Sequence, residues 1–147
     1  MDPLSVGGLA LAVVSLGLQV TESITTYIEA FDCQDHEISS LRQQNGLLQR
    51  ALQIVEKELQ RLQHDHQDAT AQVRECLDSC EKELEAMKVL LADLAAWKQP
   101  TTSRTNRIRN KGKRLLYPFV RKKLLQLEER LGNANNALQL ALQILGL

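Results

Sequence analysis

Cys76 and Cys80 stand four residues apart, and His64 and His66 lie on the turn that precedes their helix. Thiolate and imidazole are the ligands of structural zinc, which recruits them as paired units spaced C-x2–4-C and H-x3–5-H. Only the cysteine pair has such a spacing, and an H-x-H on a solvated turn is a poor second pair. The pattern therefore favours Cys80 as a core residue with Cys76 flanking it, both behaving as small apolar side chains. No metal is expected. Cys33 makes the thiol count odd, which gives no disulfide framework and suits a reducing compartment.

Other catalytic chemistry is equally absent. The chain has no Gly-rich phosphate loop, no H-E-x-x-H and no G-x-S-x-G, so the usual ways of holding a phosphate, a metal or an activated serine are missing. Glu81, Glu83 and Glu85 alternate, so the three cannot all converge on one helix face, and His36 is isolated. Neither enzymatic activity nor a cofactor is expected. Function must then come from surfaces.

The most conspicuous surface signal is charge. The formal net charge is zero, yet up to Trp97 there are 16 acidic and 7 basic residues, and from Lys98 onward 11 basic and 2 acidic. Such a split predicts either an electrostatic partner or a pairing of the two halves. The anionic-lipid candidates are Arg104, Arg107, Arg109, Lys111, Lys113, Arg114, Arg121, Lys122 and Lys123. Near an anionic leaflet each contributes about 1 kcal/mol. The run from Arg107 to Arg114 also has the form of a nuclear-import or nucleic-acid patch. It lacks interleaved aromatics for base stacking, so no nucleic acid is expected. A solvated loop that balances the acidic helices is the remaining reading.

Helices must position these residues. Hydrophobic residues make up 44% and aromatics only 3%, and Leu, Ala, Gln, Glu, Lys and Arg dominate, as in long helices. Ile38, Leu41, Asn45, Leu48, Leu52, Val55, Leu59 and Leu62 alternate at three and four residues. A second seam runs Val73, Leu77, Cys80, Leu84, Met87, Leu91, Leu94, and a third Leu116, Val120, Leu124, Leu127, Leu131, Ala134, Leu138, Ala141, Leu145. Seams of this kind serve either a dimeric coiled coil or a bundle. The short break at 64–70 lets two fold back antiparallel, which favours the bundle. Pro118 suits the first turn of the last helix, and the weakly helical Gly132-Asn-Ala-Asn-Asn stretch leaves room for a kink.

The N-terminal segment is different. Pro3 to Thr21 is uncharged over 19 residues, about 28 Å of helix and close to a bilayer's hydrocarbon thickness. Asp2 replaces the positive flank of a secretory signal, so the choice lies between a lipid span and a core helix. Val6, Leu9, Val13, Leu16, Val20, Ile24 and Tyr27 follow the 3–4 spacing, but Leu11, Val14 and Leu18 fall elsewhere on the wheel. A helix apolar all round belongs at the centre of a bundle or in lipid. The expectation is a single domain over 1–147, an all-α antiparallel four-helix bundle. Its helices span about 3–30, 35–63, 68–97 and 115–145, the first is central, and a basic loop over 98–113 has room for a short helical turn around Ile108.

The opening Met1-Asp2-Pro3-Leu4-Ser5-Val6 followed at once by a Gly/Ala/Leu/Val helix resembles the HeLo-like N-terminal domains of fungal NACHT-type and related STAND receptors. Lys113-Arg114-Leu115-Leu116-Tyr117-Pro118-Phe119 and the closing Leu138-to-Leu145 run look like that family's last helix. The resemblance implies a helical bundle that acts in programmed cell death and fungal heterokaryon incompatibility. On oligomerisation the N-terminal helix enters and permeabilises the plasma membrane, and at rest the domain is cytoplasmic. The implied membrane-inserting residues are Leu4, Val6, Leu9, Leu11, Val13, Val14, Leu16, Leu18 and Val20. The stripe Ser5, Gly8, Ala12, Ser15 would allow close helix–helix contact in lipid. The implied partners are anionic lipids, further copies of the chain, and a C-terminal or separate receptor or amyloid trigger expected outside these 147 residues. Other relatives act as homotypic signalling adaptors, the alternative function.

Overall fold

The repeating 3–4 spacing becomes four helices. The computed structural model describes residues 6–30, 36–59, 70–96 and 118–147. They form α1 (Val6–Glu29), α2 (His36–Lys57), α3 (Thr70–Ala96) and α4 (Pro118–Leu145), with no strand among the described residues. The fold is the expected all-α four-helix bundle. The expected turn at 64–70 and basic loop at 98–113 lie outside the described residues except for Thr70, which already belongs to α3.

Pro118 opens α4, where its missing N–H and fixed φ cost nothing. No break occurs at Gly132: α4 continues as one helix to Leu145. It ends in a Schellman cap, with Gly146 at φ 73°, its N–H bonded to Gln143 O at 3.1 Å, and Leu147 N–H bonded to Leu142 O at 2.9 Å. The positive φ favours glycine there.

Side-chain bonds fix the direction of each helix. Asn45 of α2 reaches Thr21 and Thr25 of α1, and Leu52 lies against Gly17, so α1 and α2 are antiparallel. Ser40 donates to Glu128 and Asn135 donates to Gln44, so α2 and α4 run in the same direction. Lys123 pairs with Asp93 and Arg130 with Glu83, each at a sequence sum near 215, so α3 and α4 are antiparallel. It follows that α1 and α3 are parallel. Around the bundle the order is α1, α2, α4, α3, and the diagonal pairs α1/α4 and α2/α3 have no close backbone approach. Consecutive helices do alternate in direction, but α2 and α3 face each other across the core rather than side by side.

This arrangement overturns the expectation of a central first helix. α1 occupies one corner like the other three, with close backbone approach only to α2 and α3, and Leu11, Ala12 and Ser15 face solvent. Its buried residues are Val6, Gly7, Leu9, Ala10, Val13, Val14, Gly17, Val20, Thr21, Ile24 and Ile28, with Leu16 and Tyr27 only half-buried. The seams of the other helices are buried largely as spaced: Ile38, Leu41, Leu48 and Leu52 in α2, Leu77, Cys80, Leu84 and Met87 in α3, and Val120 through Ala141 in α4. In α3, Leu90 joins the buried core and Leu91 stays half-buried.

Close approach of α1 to α2 depends on Gly17. A Cβ there would lie 2.6 Å from Leu52 Cδ1 and 3.2 Å from Cγ, and Leu52 is completely buried. Gly17→Ala gains about 1 kcal/mol of helix propensity but overpacks the interface by about 1–3 kcal/mol. We therefore predict a net loss of up to about 2 kcal/mol in urea unfolding. In a double-mutant cycle with Leu52→Ala, the combined loss should fall short of the summed single losses by about 1 kcal/mol. Full additivity would mean that the two residues do not press on each other.

Candidate functional site

The candidate site is α1 and its seat. It is long and apolar enough to span a bilayer, as a buried core helix also can be, and half of its most apolar stretch is buried in the bundle. Of the residues expected to insert, Val6, Leu9, Val13, Val14 and Val20 are buried, Leu16 and Leu18 are half-buried, and Leu11 is 51% exposed. Leu4 and Ser5 lie outside the described residues. Gly8 is half-buried, and Ala12 and Ser15 are exposed, so the small-residue stripe takes little part in packing the bundle. Gly7, Ala10 and Gly17 carry out that role instead.

Apolar contacts hold α1 but do not fix its height, because they are non-directional. Polar bonds supply that. Asn45 is 4% exposed, and its Nδ2 donates to Thr21 O at 3.1 Å and to Thr25 Oγ1 at 2.9 Å. Thr25 Oγ1 in turn donates to Thr21 O at 2.9 Å. The next residue toward the N-terminus performs the same task on the other side: Asn135 Nδ2 donates to Gln44 O at 3.0 Å and to Gln44 Oε1 at 3.3 Å. Residues 44 and 45 of α2 thus set the register of both flanking helices. Asn45 stood in the seam as an irregular member, and a lone amide in an apolar seam is the signal that identifies a register pin. Gln44 and Asn135 carried no comparable signal.

The threonines of α1 also satisfy themselves. Thr21 Oγ1 donates to Leu18 O at 3.2 Å and Thr26 Oγ1 to Glu22 O at 3.1 Å. On the α3 side, the C-terminal half of α1 is separated from its neighbour by an open groove of about 710 Å³ that includes Val20, Tyr27, Leu91 and Ala95.

Most of the expected lipid-binding cations, Arg104, Arg107, Arg109, Lys111, Lys113 and Arg114, lie outside the described residues. Arg121 and Lys122 are exposed at the start of α4. Lys123 is drawn inward instead: it pairs with Asp93 at 3.2 Å and sits 5.5 Å from the centre of the Phe119 ring. With Arg130–Glu83 at 3.1 Å, part of the charge split is met inside the bundle. Such partly exposed pairs contribute about 0–1 kcal/mol each.

Cys76 and Cys80 are both buried in α3, while His64 and His66 lie outside the described residues. Among the described residues no three His, Cys, Asp or Glu side chains converge as metal ligands. Burial, with the nearby Glu83 and Glu81 charges, pushes the Cys80 thiol from an ordinary 9.0 up to about 12. Burial and Glu75 push Cys76 up as well.

Comparison with known proteins yields one relative. The chain is 28% identical over 151 aligned positions to the azaphilone pigments biosynthesis cluster protein L of Monascus ruber, a match covering 99% of this chain and 31% of the relative. It therefore spans about a third of that protein's length. No family model matches the chain, and no solved structure does.

Two measurements probe the seat. Asn45→Ala removes a buried amide that bonds a backbone carbonyl and a hydroxyl, and should cost about 1–3 kcal/mol in chemical unfolding. With Cys33 replaced by Ser, thiol reagents at pH 8 should leave Cys76 and Cys80 unmodified until the protein is unfolded. The raised Cys80 pKa has a definite sign: below about pH 9 the thiol is protonated in both states, and above it the unfolded chain ionises first. Stability should therefore fall as pH rises above about 9, and Cys80→Ala should flatten that fall.

Proposed function

We propose that this chain is a membrane-acting effector bundle, a pore-forming domain of the cell-death type, that releases α1 into a bilayer after oligomerisation. The observation that carries this reading is the outer face of α1. From Val6 to Thr21 it has no charge on any side, although Leu11, Ala12, Ser15 and Gln19 face solvent. The exposed face of α2, by contrast, carries Arg42, Arg50, Glu56 and Lys57. A soluble bundle gains nothing from an uncharged outer face, whereas a helix that must enter lipid requires one.

The energetics are compatible. Withdrawing Val6, Leu9, Val13, Val14 and Val20 from the core costs about 1.5–3 kcal/mol each, and burial in hydrocarbon offsets that loss because lipid tails are as apolar as the core. The hydroxyls of Thr21, Thr25 and Thr26 keep their bonds to carbonyls of α1 itself, so they bring few unsatisfied groups into the bilayer. The Asn45 bonds are what must break. The basic segment that ends at Lys122 supplies the second, electrostatic attraction that membrane binding requires besides an apolar helix. In this reading the domain rests in the cytoplasm, moves to the plasma membrane and acts without catalysis. The trigger resides in the rest of a longer protein, of which the relative's greater length is suggestive.

The test uses the Gly17–Leu52 contact. Cysteines at both positions, G17C/L52C, place two Cβ atoms within disulfide reach and tie α1 to α2. With an inducible dimerisation tag and anionic vesicles, the reduced protein should release an entrapped dye and the oxidised protein should not, with leakage restored by reductant. Equal leakage in both redox states would overturn the release of α1. No leakage in either state, with circular dichroism unchanged, would overturn membrane action.

A further inference from the structure

We infer that the α2/α4 face is a self-complementary docking surface for a second copy of this chain. Between these two helices lies a cleft of about 560 Å³ lined by Ser40, Gln43, Gln44, Leu47, Asn136 and Gln139, with Asn135 at its floor. Every one of these side chains is uncharged. Amides both donate and accept, so a face built of them matches a copy of itself about a two-fold axis, whatever the pairing of donors and acceptors. The other long face behaves in the opposite way. The exposed side of α3 carries Glu75, Lys82, Glu85 and Lys88, with Lys82 already paired to Asp78, and a two-fold contact there would have to desolvate these charges.

Two further observations favour occupancy. Among the described residues, three of the seven large exposed apolar side chains belong to this face: Leu47 at 43%, Ile54 at 43% and Leu140 at 49%. Ile54 follows Leu47 by seven residues and Leu140 follows Asn136 by four, so each continues a helical stripe that borders the cleft. Asn135, only 7% exposed, holds the floor of the cleft in place through its two bonds to Gln44, so the surface is preorganised for a partner. The charges that border this face, Arg50 and Lys57 of α2 against Glu128 and Glu129 of α4, cancel in sum; Glu128 accepts from Ser40, and Arg50 folds back on Gly46 O at 3.3 Å.

The 22 residues of α2 make the face about 33 Å long. Two helices side by side make it about 20 Å wide, so each copy offers about 660 Å², near the low end for specific interfaces. The contact is accordingly weak, in the micromolar range, and because it is neutral it does not depend on salt. It stands independently of membrane insertion.

Sedimentation of the untagged chain between 5 µM and 1 mM tests this. A monomer–dimer equilibrium is expected, with a dissociation constant that changes less than threefold between 0.05 and 1 M NaCl. Leu47→Lys and Leu140→Lys, both at exposed positions, should each weaken it at least tenfold without changing helix content or thermal midpoint. Val89→Lys, at a 61% exposed position on α3, should leave it intact. The proposal is overturned if the chain stays monomeric at 1 mM. Association that salt abolishes, or that Val89→Lys weakens as much as Leu47→Lys, overturns it equally. Vesicle leakage plays no part in these readouts, so either result leaves the membrane reading to be judged by its own experiment.

Discussion

One buried amide determines where the first helix sits. α1 is nearly featureless in the chemical sense: its inner face is apolar and small, and its outer face uncharged as far as Thr21. Apolar burial gives such a helix affinity for a groove but no preferred height or rotation within it. Asn45, bonded to Thr21 O and Thr25 Oγ1, supplies both, and the contact of Gly17 with Leu52 two helical turns away sets the depth. Because Gln44 binds Asn135 from the adjacent position, the height of α4 is referred to the same point on α2. A single polar position in a coiled-coil seam fixes register at some cost in stability, and Asn45 and Asn135 do the same here in a globular bundle.

The ring order α1, α2, α4, α3 distributes the chemistry. Placing α4 beside α3 brings the basic start of α4 to the acidic α3, where Lys123 meets Asp93 and Arg130 meets Glu83. Placing α4 beside α2 joins two amide-rich stripes into one neutral face. α1 is left with α2 and α3 as neighbours and an open groove on the α3 side of its C-terminal half. In the proposed release, a helix in that position would leave the α3/α4 pair in contact, whereas a central helix, the arrangement its composition suggested, would not.

What the sequence made legible follows from where its signals are strong. Alternating seams such as Ile38–Leu41–Asn45–Leu48–Leu52 separate inside from outside because polar residues occupy the other positions, so the buried faces of α2, α3 and α4 could be read directly. In α1 the surrounding positions are apolar too, and the same period no longer discriminates: Leu16 was placed inward, and Gly17 and Val14 hold that role. Helix adjacency was illegible for a different reason. A seam specifies which face is buried and nothing about which helix covers it, so the diagonal relation of α2 and α3 emerges only from tertiary bonds. Lys123 shows the same limit, since its partner Asp93 is 30 residues earlier on another helix.

The proposed release of the first helix can be tested directly with a fluorescent probe at Ala12, which faces solvent in the bundle. A control probe belongs at Ser79, exposed on α3. On dimerisation at anionic vesicles carrying quenchers near the bilayer centre, the Ala12 probe should shift to the blue and be quenched while the Ser79 probe stays aqueous. If both probes remain aqueous, or both shift alike, α1 does not separate from the bundle to enter lipid.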